Sequence, residues 1–261
     1  MRRFLTSLAV ATALLNGGAA LADQTIRVGV TPGPHAQIME DVAKRAPSEG
    51  LTLKVIEFSD YVLPNTALAQ GDLDANSFQH QPYLDNQVKD RGLPLVSVAK
   101  TMIFPLGLYS KKFKSLDQVP DGASIAIPND PTNGGRALLL LQKAGFLKLR
   151  PEAGLKASVV DIIDNPRKFK IKELDAAQLP RSLEDTAMSA VNTNYAMEAG
   201  LSPLRDSLVL EDANSPYANI IVVREQDKDK PWVAKLVKLY QSPETKAFIE
   251  KTFGVSIFPA F

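Results

Sequence analysis

Short strand-like runs alternate with short helical runs along almost the whole chain, and that alternation leaves few ways to fold. "TIRVGVT" (25–31) is β-branched and alternating, "PGP" ends it, and a helix follows from about residue 35 to 46, with Pro34 suited to a first helical position. "LTLKVIEF" (51–58) is a second strand. "NTALAQG" is a short helix stopped at Gly71, a strand runs from about Asp74 to Phe78, and "QPYLDNQVKDRG" is a helix stopped at Gly92. "LPLVSVAKTMIFPLGLYS" is extended. The pattern then restarts with "DGASIAIP", a helix through "GGRALLLLQKAG", "KIKEL", "SAVNTNYAMEAG", "SLVLED", "YANIIVVRE" and two C-terminal helices at about 230–241 and 243–252. The expectation is an α/β fold with largely parallel sheets. Extended segments near 104–110 and 192–215 join two such units. They predict two lobes around a cleft, residues 23–107 plus 213–261 forming the first and 108–212 the second.

The first 22 residues follow another logic. Arg2 and Arg3 form a basic start, Phe4 to Leu15 a short apolar run, and Ala20-Leu21-Ala22 a small-x-small cleavage pattern. This predicts a cleaved secretory signal peptide over residues 1–22. The sequence holds no cysteine. The expectation is a periplasmic product released without a lipid anchor, held together by its core and lacking thiol chemistry.

Composition removes further classes. The formal net charge is +1, with no basic stripe, which argues against nucleic acid as a partner. Two histidines, His35 and His80, are too few for a metal site built on imidazoles, so neither metal nor cofactor is expected. No nucleophile elbow, phosphate loop or zinc-protease motif occurs, and the expectation is that the protein is not an enzyme.

Some residues fit a ligand site and also fit ordinary structural roles. Arg136 in "NDPTNGGRALLLLQ" reads as a cation in or near the first turn of a helix, where the dipole disfavours it. Two glycines precede it and bare the backbone. Phe78 and His80 in "DANSFQHQPYLDN" share strand parity and can flank an apolar, polarizable side chain, or can be a core Phe and a helix-capping His. Asn192 in "VNTNYA" and Asn219 in "SPYAN" can bind α-ammonium or α-carboxylate groups, or can serve turns and caps. Tyr61 in "FSDYVLPN" can equally be half-buried packing.

Beyond these separate readings, "VGVTPGPHA", "FSDYVLPNTALAQGDLDANSFQHQPYLD", "IAIPNDPTNGGRALLLLQKAGF", "LDAAQLPRSLED", "VNTNYA" and "SPYANIIVVRE" closely resemble the methionine-binding, NlpA-type substrate-binding proteins of bacterial ABC importers. The resemblance runs from about residue 25 to 261. It implies a two-lobed periplasmic-binding-protein fold, with a hinge and an interdomain cleft, that captures an amino acid, L-methionine first. It also implies delivery to an ABC permease with ATPase subunits, by a monomer. On the family pattern Arg136 holds the ligand carboxylate. Asn192 and Asn219 hold its other α-groups, and Tyr61, Phe78 and His80 surround the thioether. D-methionine, a methionine-containing dipeptide or another small anion on the same fold are the alternatives, and an envelope hydrolase is a distant one. An anionic ligand also accounts for the cation, bare backbone and helix start converging at Arg136.

Overall fold

A computed structural model of the protein describes residues 24–212 and 215–261; the predicted signal peptide, residues 1–22, lies outside them. The strands are β1 (Gln24–Val30), β2 (Leu51–Glu57), β3 (Ala75–Asn76), β4 (Leu95–Ile103), β5 (Gly107–Tyr109), β6 (Ser124–Pro128), β7 (Lys148–Leu149), β8 (Ile162–Asp164), β9 (Lys170–Leu174), β10 (Met188–Val191), β11 (Ser207–Leu210), β12 (Ala218–Arg224) and β13 (Phe258–Pro259). The helices are α1 (Pro34–Arg45), α2 (Leu63–Gln70), α3 (Gln81–Arg91), α4 (Pro131–Lys143), α5 (Leu179–Ser182), α6 (Thr193–Glu198), α7 (Pro203–Asp206), α8 (Pro231–Tyr240) and α9 (Pro243–Phe253).

Two sheets carry the two lobes. One has the order β13-β4-β12-β3-β1-β2, the other β11-β5-β10-β6-β9. Each has its own apolar core. Against the first sheet α1 buries Ile38, Met39 and Val42, and α8 buries Trp232 and Leu236. Each such side chain contributes roughly 1.5–3 kcal/mol through the apolar area it removes from water. In the second core Leu138 and Leu141 of α4 pack with Ile125 and Ile127 of β6. β12 has five consecutive buried residues, Asn219 to Val223, because it runs between β4 and β3 with both faces covered. Gly71 and Gly92 end α2 and α3 in the left-handed region, at φ 88° and 63°, where the missing Cβ makes the conformation cheap.

The sheets are mixed rather than largely parallel. β1–β2, β1–β3, β6–β9 and β6–β10 pair parallel, as helical crossovers require. β12 runs antiparallel to both β3 and β4, and β5 antiparallel to both β10 and β11. The cause is how the chain changes sheet. It passes from β4 to β5 through residues 104–106 alone, and returns from β11 to β12. No helix lies in the first link to turn the chain around, so β5 enters its sheet reversed. The two crossings run side by side: Glu211 N–H donates to Leu106 O at 2.9 Å, and Leu106 N–H donates to the Glu211 carboxylate at 3.2 Å.

Candidate functional site

Parallel strands end together at the junction of the two sheets, which is where α/β folds place ligands. His35 opens α1 after β1, Phe78 and His80 follow β3, Arg136 lies on α4 after β6, and Asn192 follows β10. They line one cavity, with Tyr61 and Asn219 also in its wall. All six residues picked out in the sequence therefore meet at one place.

The apolar end is aromatic. Tyr61 and Phe78 have ring centroids 5.9 Å apart, Phe78 and Tyr83 6.1 Å, and Tyr61 and Tyr195 5.0 Å. Phe78 is 3% exposed. The Tyr61 hydroxyl donates to Asn194 Oδ1 at 2.6 Å, a bond from one lobe to the other. Burial raises the Tyr61 and Tyr83 phenols well above their ordinary range, so both stay protonated donors.

His80 takes the capping role the sequence allowed and also lines the cavity. β3 stops at Asn76, so strand parity does not place it. It stands instead at the N-cap of α3, where its Nδ1 accepts from Tyr83 N–H at 3.1 Å. Nδ1 is then bare, so Nε2 carries the proton and donates to Asn133 Oδ1 at 3.2 Å across the cavity. Burial, reinforced by the Arg136 charge, lowers its pKa to about 3, so the ring is neutral. His35 is equally buried and lowered to about 3; its Nδ1 meets Thr31 Oγ1 at 2.7 Å and its Nε2 meets Asn219 Nδ2 at 2.8 Å. Asn219 is thus a strand residue of β12, not a turn, and its amide faces the first-lobe histidine.

A chain of amides fixes the other side. Asp130 caps α4 and accepts from Asn133 N–H at 2.9 Å. Its two carboxylate oxygens also accept from Asn133 Nδ2, at 3.1 and 2.9 Å, which turns Asn133 Oδ1 into the cavity. Asn192 Nδ2 donates to that oxygen at 2.9 Å. Asn192 sits at the N-cap of α6, but its side chain does not cap the helix. Its Oδ1 is buried with no hydrogen-bond partner among the described residues. Such an orphaned acceptor is costly unless something donates to it.

Arg136 differs from its sequence reading in two respects. It is the sixth residue of α4, in the second turn, so the helix start is not its neighbour. The glycines before it do not bare the backbone to the cavity either. A Cβ on Gly134 would meet Pro128 O at 2.9 Å, and one on Gly135 would meet Ala157 O at 2.8 Å and Leu155 O at 2.9 Å, so both serve the close packing of α4. The guanidinium is 3% exposed and paired with Glu211, a residue the sequence reading passed over. Asn133, Asn194 and His35 were also missed as lining residues; their only sequence signal was their place in the turns after predicted strands.

A family profile described as NlpA lipoprotein matches residues 26–261. D-methionine-binding lipoprotein MetQ of Salmonella typhimurium is 52% identical over 232 residues, covering 88% of this chain and 86% of that protein. A nutrient binding protein from Burkholderia cenocepacia, solved bound to methionine, shares 57% identity with a TM-score of 0.88, over 90% of this chain and all of that one. The crystal structure of the methionine-binding protein MetQ shares 49% identity with a TM-score of 0.89, over 91% of this chain and 98% of that one. The expected two-lobed periplasmic-binding-protein fold is therefore the fold of this chain.

These names correct one expectation. Sequence reading placed the product free in the periplasm, without a lipid anchor, because cysteine is absent. The matching family is described as a lipoprotein family, and the Salmonella relative is named a lipoprotein. A cysteine count reports on one attachment chemistry in the residues given and does not decide how the protein meets a membrane.

Proposed function

The chain belongs to the NlpA lipoprotein family, and from that premise we propose that it is a substrate-binding protein that captures methionine between its lobes for uptake by an ABC importer. The observation that carries this reading is the buried, unpartnered Asn192 Oδ1, set in a cavity that also holds Arg136 and an aromatic wall. An α-amino acid supplies what each lacks: an ammonium donor for the orphaned oxygen, a carboxylate for the guanidinium, and a polarizable thioether for Tyr61, Phe78 and His80. Asn219 and Asn192 hold the α-groups.

Capture is reversible and involves no covalent step. The lobes are residues 23–107 plus 213–261 and residues 108–212, hinged at the paired crossings by Leu106 and Glu211. Closure brings Tyr61 to Asn194 and His80 to Asn133, and excludes water, which strengthens the ion pairing inside. The closed monomer is the form that a permease with its ATPase subunits would engage.

Mass spectrometry of the small molecules released by denaturing freshly purified protein tests the reading, with chiral chromatography to separate D- from L-methionine. Methionine of either hand is the expected result. A different compound, together with no heat on titrating either enantiomer, would overturn it.

A further inference from the structure

Arg136 does not face the cavity as a free cation. Its Nε donates to Glu211 Oε1 at 3.0 Å and Oε2 at 3.1 Å; its Nη2 donates to Oε2 and, at 2.7 Å, to Phe104 O. The Tyr217 ring stacks on it, 4.3 Å from the guanidinium carbon to the ring centroid. Nη1 forms no hydrogen bond among the described residues. Glu211 is itself held in place at the crossing, through Leu106.

We propose that Glu211 is a specificity-determining residue that sets the net charge of the ligand: by neutralising Arg136 in advance, it fits the cavity to a zwitterionic amino acid and against the same skeleton as a net anion. This rests on the reading of the cavity as a methionine site. His80 and His35 have both ring nitrogens engaged by protein groups and are neutral. Asp130, the other carboxylate nearby, caps α4 and is bonded to Asn133 outside the cavity wall. Lys143 pairs with Asp212 at the surface. The Arg136–Glu211 pair therefore sums to zero, and among the described residues no carboxylate lines the cavity. A zwitterion adds no net charge: its carboxylate shares the guanidinium through Nη1, and its ammonium meets the neutral acceptor Asn192 Oδ1. The α-hydroxy acid analogue of methionine keeps the carboxylate and the thioether but brings an unbalanced negative charge beside Glu211, in a site where burial weakens screening.

Isothermal titration of L-methionine and its α-hydroxy acid analogue against the wild-type chain and Glu211→Gln separates this from a structural role. Glutamine keeps the shape and one oxygen for Arg136 and removes the charge. The wild type prefers methionine, and in the variant that preference falls by at least about tenfold, driven by relative gain of the hydroxy acid. Glu211→Asp, which keeps the charge, retains the wild-type preference. Glu211→Asn reads the same ratio where the glutamine chain fails to fold. Equal weakening of both ligands in the neutral variants marks Glu211 as merely structural and overturns the inference, as does an aspartate variant that loses the preference. Methionine binding by the wild type with an unmoved ratio in Glu211→Gln overturns this inference alone; a wild-type chain that binds no methionine overturns the functional reading as well.

Discussion

Asn192 donates an amide hydrogen to Asn133 Oδ1 at 2.9 Å and leaves its own Oδ1 buried without a partner among the described residues. The orientation is forced from Asp130, whose carboxylate accepts from Asn133 Nδ2 and so fixes which end of each amide points inward. An acceptor imposed on a buried site in this way is a place for a donor to arrive.

Asn192→Ala removes that acceptor together with its cost. Methionine binding should weaken by about 1–3 kcal/mol, the scale of a hydrogen bond to a charged donor. The melting temperature of the ligand-free protein should change little, since the lost bond to Asn133 is offset by losing an unsatisfied oxygen. Titration calorimetry beside thermal denaturation checks both; unchanged affinity contradicts the role given to Asn192.

Arg136→Ala breaks a buried pair from one side. It leaves Glu211, 17% exposed, without its cation and Phe104 O without its donor. A full burial cost would be about 3–5 kcal/mol, and the partial exposure of Glu211 brings the stability loss to the lower part of that range. Methionine affinity should fall by a similar factor or more. Arg136→Lys restores charge without the planar fork and should recover only part of either quantity.

Both histidines make stability sensitive to acid. Each is lowered from the ordinary imidazole value to about 3 in the folded chain, by burial. The unfolded chain therefore binds the protons first, below pH about 6.5. Stability from this source is complete above that pH and declines as pH falls toward 3, by up to about 1.4 kcal/mol per unit for each ring. Urea midpoints at pH 7, 5 and 4 should fall steadily, and His80→Gln should show a shallower decline than wild type. Parallel slopes would rule out His80 as a source.

Gly135→Ala tests the packing role of the glycines. The added Cβ meets Ala157 O and Leu155 O at 2.8 and 2.9 Å, and backbone atoms cannot rotate away. The chain should lose roughly 1–3 kcal/mol of stability, while the affinity of the folded fraction for methionine stays near wild type. A large selective loss of affinity would mean that the glycine serves the ligand after all.

Local pattern was enough to identify most elements here. Strands such as "TIRVGVT" and "YANIIVVRE" and the glycine stops of α2 and α3 are read from neighbours a few residues apart, and folding keeps them because burial rewards the same alternation. The long motifs also marked six of the residues that line the cavity; all but Asn219 follow parallel strands, whose ends converge where such sheets meet. Strand direction was not readable: β5 and β12 are antiparallel because the chain changes sheet there, and a period of two is the same in either direction. Nor could local sequence pair Arg136 with Glu211, 75 residues away, or turn the Asn192 oxygen inward through Asp130 and Asn133. Those are choices among polar partners that only the tertiary packing within residues 108–212 brings together. The sequence by itself determined the elements and the residue types at the cavity; the tertiary structure decided the charge of Arg136's surroundings and left the Asn192 oxygen unmatched in the cavity wall, because both depend on which distant groups share a buried space.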